Sequence, residues 1–276
     1  MRNHTWIVFL VIGLLILIQA LNDLIYVPYI ESASHWAWLT ADPEAIRYFR
    51  FNKRLEGIWT LGLAFLVLAT TAGFRQKDRL AWLALWCLPV VLLLPAIPAP
   101  WLLPILAPLS IIAIAVLLRS RSVTDGPLGD RFHLKGRRVL ATAAFVIIAL
   151  LLVALAWYNI VYVRALDPAD PKEGWAWLTA DPDIIEYIKL HFLLQGVWVL
   201  NFALMVLVVT LTGFRLGRQW AWIGLWSVVI VIGLYLLSAP WLTPILFAMG
   251  GAAAVALILV RPKREGAGEP EAGSLA

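Results

Sequence analysis

Apolar residues gather in eight stretches along the chain, at roughly 6–26, 56–71, 80–94, 101–118, 139–163, 190–211, 220–237 and 241–260. Most approach the roughly 20 residues that cross a bilayer as a helix. The shorter ones are flanked by charged residues that can snorkel to the headgroups. None shows the alternation over about 10 residues that marks a transmembrane β-strand, and the long apolar interiors exclude a coiled coil. The pattern predicts an all-α membrane protein with eight transmembrane helices.

The chain also repeats itself. Trp36-Ala37-Trp38-Leu39-Thr40-Ala41-Asp42-Pro43 recurs unchanged as Trp175-Ala176-Trp177-Leu178-Thr179-Ala180-Asp181-Pro182. Gly73-Phe74-Arg75 recurs as Gly213-Phe214-Arg215, and Ala99-Pro100-Trp101-Leu102 as Ala239-Pro240-Trp241-Leu242. Tyr26-Val27 matches Tyr162-Val163, so the offset drifts only from 136 there to 140 at Gly73. This order reads as a tandem duplication of a four-helix unit. The expected units are 1–119 and 139–262, joined by a linker at 120–138 and followed by a disordered tail at 263–276. The first stretch resembles a signal peptide in length. Its counterpart at 139–163 sits mid-chain, so a retained helix is expected.

Composition sharpens the class. Hydrophobic residues make up 62% of the 276 positions and charged ones 14%, against about 25% charged in a soluble domain. The formal charge is +5, but Lys and Arg lie almost wholly between apolar stretches. Topogenic charge accounts for this balance, so nucleic acid is not an expected partner and the lipid bilayer is. The basic loops (Arg75, Lys77 and Arg79; Arg119 to Arg138; Arg215 and Arg218; Arg261 to Arg264) all fall on one side of an eight-span chain. The positive-inside rule puts that side, and both termini, in the cytoplasm. An even number of spans per unit makes the repeat parallel, with its axis along the membrane normal.

The opposite side carries the repeated Trp motif. Asp42 and Asp181 suit N-caps, and Pro43 and Pro182 suit the first helical position. Trp36, Trp38, Trp175 and Trp177 are expected in the headgroup layer as interfacial anchors, with a ligand rim as the functional alternative. Counting 1.5 Å per residue from Gly73 puts Glu56 about 25 Å away, and counting from Thr5 puts Asp23 about 27 Å away. Lys53 and Arg54 lie one turn beyond Glu56. In the second copy Asp23 becomes Asn159, Glu56 becomes Gln195, Lys53 becomes Phe192 and Arg54 becomes Leu193. Two acids and two bases vanish together, which predicts that they compensate one another as a structural ion cluster. A proton or ion relay is the sharper alternative. His191 and Gln195 share a helical face, as do Asn52 and Glu56. An outer cavity lined by these four would favour a carrier or binder.

No His-x-x-x-His, Cys-x-x-Cys or Glu-x-x-His spacing occurs, so no metal or haem cofactor is expected. There is no phosphate-cradling Gly loop and no nucleophile–base pairing. The lone Cys87 cannot form an internal disulfide. Phe214-Arg215 followed by Gln219-Trp220-Ala221-Trp222, and Phe74-Arg75 followed by Leu80-Ala81-Trp82, resemble the small bacterial four-helix membrane proteins of the DoxX-like kind. That resemblance covers each half once. It implies a bacterial plasma-membrane protein, assigns no activity, and implies that two units in one chain replace a homodimer. The expected function is therefore a non-enzymatic integral membrane protein. The alternatives are a carrier or binder of a small or lipid-like molecule entered from the outer face and a membrane-embedded enzyme resting on Asp23 and Glu56.

Overall fold

The computed structural model describes residues 4–32, 40, 42–120, 136–162, 181–238 and 243–261. The four motif tryptophans Trp36, Trp38, Trp175 and Trp177, nearly all of the linker and the tail lie outside the described residues. Within them the chain is helical. In order come α1 (Trp6–Leu21), continued by a π-helical segment (Asn22–Ile30); α2 (Pro43–Arg75); α3 (Arg79–Leu85); α4 (Leu88–Leu93); α5 (Leu103–Arg119); α6 (Gly136–Trp157), continued by a π-helical segment (Tyr158–Tyr162); α7 (Pro182–Val209), continued by Thr210–Phe214; α8 (Gln219–Ser238); and α9 (Thr243–Leu259).

Seven helical stretches among the described residues are long and apolar enough to cross a membrane: Trp6–Ile30, Pro43–Arg75, Arg79–Ala96, Pro100–Arg119, Gly136–Val161, Pro182–Phe214 and Gln219–Ser238. The apolar helix Pro244–Leu259 is shorter. Large apolar side chains face outward, among them Ile18 and Leu21 on α1, Ile105 and Ile111 on α5, and Leu140 and Leu150 on α6. Such a surface suits hydrocarbon rather than water, and the chain is a multi-pass membrane protein.

Local sequence explains the helix ends. Asp42 Oδ1 accepts from Glu44 N at 2.9 Å, and Asp181 Oδ1 from Asp183 N at 3.0 Å, each followed by proline at the first helical position. Asp78 Oδ1 does the same for α3, accepting from Leu80 N at 2.9 Å.

α2 occupies the centre. It packs against α1 on one side and against α7 and α8 on another. Glycines permit the closest approaches. A Cβ on Gly57 would lie 2.7 Å from Leu24 N, so α2 and the π segment after α1 meet backbone to backbone. Gly196 faces the end of α6 and the π segment after it, where its Cβ would lie 3.1 Å from Ala156 O and 2.8 Å from Ile160 Cγ1. A Cβ on Gly62 would lie 2.6 Å from Phe202 Cε2 and closer still to Val231 Cγ2, where α2 meets α7 and α8.

The two copies of the sequence repeat differ in their prolines. Pro89, Pro95 and Pro108 in the first correspond to Val229, Tyr235 and Ala248 in the second. Pro89 has no N–H to offer the Leu85 carbonyl. The chain tightens there, with Trp86 N donating to Leu83 O and Cys87 N to Ala84 O, before α4 restarts. α8, free of proline, runs unbroken. Pro95 likewise has nothing to donate to the Val91 carbonyl, and Asn201 Nδ2 of α7 supplies that bond at 2.9 Å.

Several contacts recur at matching positions. Trp82 Nε1 donates to Leu117 O at 3.0 Å, and Trp222 Nε1 to Leu257 O at 2.9 Å. Asp78 Oδ2 accepts from Trp220 Nε1 at 2.9 Å and lies 3.4 Å from Arg218 Nε.

Candidate functional site

Glu56 is the hub of a buried polar cluster. It lies three residues after Lys53, so both side chains share a face of α2. Lys53 Nζ reaches Glu56 Oε2 at 2.9 Å, and His191 Nδ1 of α7 reaches Glu56 Oε1 at 2.7 Å. The Glu56 side chain is only 2% exposed, His191 6% and Lys53 19%. Each carboxylate oxygen of Glu56 therefore has its own nitrogen partner, one from each sequence copy. The Tyr187 ring packs edge-on against His191, with centroids 4.4 Å apart.

Asp23 is set beside this pair by the π segment and by the missing side chain of Gly57. It is buried, accepting from Gln19 Nε2 at 2.7 Å and from Asn22 Nδ2 at 3.2 Å. Its hydrogen bonds come from neutral amides, while Lys53 supplies the attractive charge acting on both Asp23 and Glu56. Asp23, Lys53 and Glu56 thus form one electrostatic group.

Arg54 stands apart from that group. Its guanidinium lies 5.8 Å from the Tyr29 ring centroid, on another face of α2. The charged set expected from the sequence therefore loses Arg54, and His191 joins the cluster through its hydrogen bond to Glu56. Asn52 is buried, and its side-chain nitrogen and oxygen both lack a partner among the described residues. Gln195 Oε1 is also buried and lacks a partner among the described residues. Asn159 is buried in the second π segment. Of the eight residues singled out from the sequence, Asp23, Lys53, Glu56 and His191 come together around one cavity.

That cavity has a volume of about 630 Å³, within the range of small-molecule sites. Its walls are apolar: Ile12, Leu15, Ile16 and Ile18 from α1, Ile105, Leu106 and Leu109 from α5, and Leu190, Leu194 and Trp198 from α7. Its polar end is formed by Gln19, Asp23, Lys53, Glu56, Tyr187 and His191. Leu15, Ile18 and Ile105, which line it, are exposed, so the cavity is open along α1 and α5. Asn52 and Gln195 do not line it.

The arrangement supplies carboxylate acceptors, an ammonium donor and a buried His191 Nε2 without a partner among the described residues. No group of three His, Cys, Asp or Glu that could hold a metal ion occurs among the described residues. Sequence reasoning missed the bond between Glu56 and His191. The signal for it was present, because His191 occupies the place of Asn52 in the repeat, one helical turn from the Glu56 counterpart Gln195. Comparison with protein-family models, curated proteins and solved structures finds no match to this chain.

Proposed function

We propose that this protein binds or carries an amphipathic, lipid-like molecule and catalyses no reaction. The observation that carries this reading is the 630 Å³ cavity, apolar along α1 and α5 and charged at one end. The ligand's apolar body lies between the two helices, entering from the bilayer. Its polar head meets Asp23, Lys53 and His191. Lys53 offsets part of the acidic charge, and each oxygen of Asp23 and Glu56 has a nitrogen partner, which keeps their burial tolerable.

In this reading the chain has eight spans, with α9 as the last, arranged as two parallel four-helix units about a pseudo-twofold axis. Residues 78 and 218 occupy equivalent places in the repeat and approach each other to 3.4 Å, as positions near a twofold axis do. The paired indole bonds of Trp82 and Trp222 support the same symmetry. The first unit holds the ligand, and the second serves as its fixed partner. Both termini and the basic loops face the cytoplasm of a bacterial plasma membrane, in keeping with the DoxX-like resemblance.

A photoactivatable single-chain amphiphile tests the binding reading. Cross-links should fall on α1 and α5, and Leu15→Trp with Ile105→Trp should abolish them by filling the cavity. Unchanged labelling in the filled variant would refute it. Single cysteines at Ser34 and Asp125 in a Cys87→Ala background test orientation. An impermeant thiol reagent should label Ser34→Cys but not Asp125→Cys in intact cells.

A further inference from the structure

A second cavity lies on the face of α2 to which Arg54 turns. It has a volume of about 510 Å³, and its lining includes Arg47, Arg50, Arg54, Tyr29, Ile46 and Phe51. The three arginines are spaced by three and four residues, so they form one stripe on the helix. Counting back from Arg75 at 1.5 Å per residue, Arg54 is about 31 Å along α2 and Arg47 about 42 Å. The hydrocarbon core is about 30 Å thick. The stripe therefore sits at headgroup level on the membrane face opposite the basic loops.

Three features make this stripe more than solvated surface. It runs against the charge bias of the loops, so topogenesis does not account for it. It belongs to the first copy alone, since the corresponding residues of the second are Glu186, Lys189 and Leu193. Its donors also have spare capacity. Arg50 donates from Nη2 to the Glu31 carbonyl, while its Nε is buried without a partner. Arg54 stacks on Tyr29. Among the described residues none of the three guanidiniums forms an ion pair with a carboxylate. Planar guanidinium forks match the oxygens of a phosphate group in geometry as well as charge.

We infer that Arg47, Arg50 and Arg54 form a binding site for a phosphate group, carried by an anionic phospholipid or by a soluble phosphate. The site is independent of whatever occupies the larger cavity. Tyr29 and Phe51 give the glycerol and upper chain of a lipid an apolar ledge beside the arginines.

The test uses the full chain in neutral detergent micelles doped with dioleoylphosphatidic acid, or with dioleoylglycerol, which has the same chains and no phosphate. Lipid retention is read by native mass spectrometry. Phosphatidic acid should be retained and dioleoylglycerol not. In R47Q/R50Q/R54Q its apparent affinity should fall about a hundredfold, at about one unit of surface attraction per arginine. R47K/R50K/R54K should fall between this variant and the wild type, because charge remains while the fork is lost. R47Q alone, at an exposed position, should lose affinity without disturbing packing, so the test survives if the triple variant does not fold. Displacement of the lipid by millimolar inorganic phosphate assigns the site to phosphate itself, and resistance to displacement assigns it to the lipid. Equal retention of dioleoylglycerol, or wild-type retention in both R47Q and the triple variant, overturns the proposal.

Discussion

Replacing Glu56 by Gln keeps the shape of the side chain and removes its charge. The consequence follows from its two partners, Lys53 Nζ at 2.9 Å and His191 Nδ1 at 2.7 Å. The amide has one oxygen where the carboxylate had two; that oxygen can still accept from Lys53 Nζ and the amide N–H can donate to His191 Nδ1 in its other tautomer, but the Lys53 charge loses its carboxylate. Breaking a buried ion pair typically costs about 3–5 kcal/mol, because the remaining charge is left alone. The Lys53 side chain keeps 19% exposure and can turn its ammonium toward the cavity, so about 2–4 kcal/mol is expected. Lys53→Phe combined with Glu56→Gln removes both charges of that ion pair and leaves Asp23 held by its hydrogen bonds from Gln19 and Asn22. The double variant should be less destabilised than the sum of the two single ones, by about 1–3 kcal/mol. Adding Asp23→Asn and His191→Asn carries the cluster to a fully neutral set already used at Asn159, Phe192, Gln195 and Asn52. Stability should then recover much of the loss. The assay is a double-mutant cycle on unfolding in detergent, followed by tryptophan fluorescence. A silent Glu56→Gln, or strict additivity of Lys53→Phe and Glu56→Gln, refutes the compensation argument.

Gly57→Ala should lower the melting temperature sharply, because its Cβ would lie 2.7 Å from a backbone nitrogen that cannot step aside. Gly233→Ala, with nothing within 4 Å, should be neutral or gain up to about 1 kcal/mol from helix propensity. Asn201→Leu should cost about 1–3 kcal/mol by orphaning the Val91 carbonyl. Pro95→Ala in the same chain should reduce that cost by restoring a backbone donor, and a denaturation series of the four variants reads the difference. Trp220→Phe removes the indole bond to Asp78 Oδ2 and should cost about 1–2 kcal/mol, more than Trp101→Phe, whose side chain is largely exposed.

The helices were legible because their signals are local. Apolar runs, aspartate caps with a following proline, and the repeat can all be read without knowing what touches what. The long α2 was legible as well, since Asp42-Pro43 marks its start far ahead of the apolar stretch. Three features were harder. The π-helical turns that carry Asp23 and Asn159 have no side-chain period of their own. Their nearest signature is the glycine opposite, Gly57 or Gly196, which acts through space. The direction of Arg54 depends on a ring contact with Tyr29 from another element. The cavity joins side chains of α1, α2, α5 and α7, which no local pattern links, and the first copy differs from the second in the prolines of its third and fourth apolar stretches. Those prolines were visible, but their effect on packing depends on a carbonyl answered by Asn201 from far along the chain.

The contact between Asp78 and Arg218 bears on why the two copies remain in one chain. Two first halves meeting in the same way would bring aspartate against aspartate, and two second halves arginine against arginine. Only the mixed pairing joins opposite charges and gives the Trp220 indole its acceptor. If the halves were expressed as separate polypeptides, they would therefore select each other over themselves. Fusion then fixes the ratio at one to one and frees each half to diverge. One half can accumulate charged residues and prolines while the other keeps a continuous helix behind it.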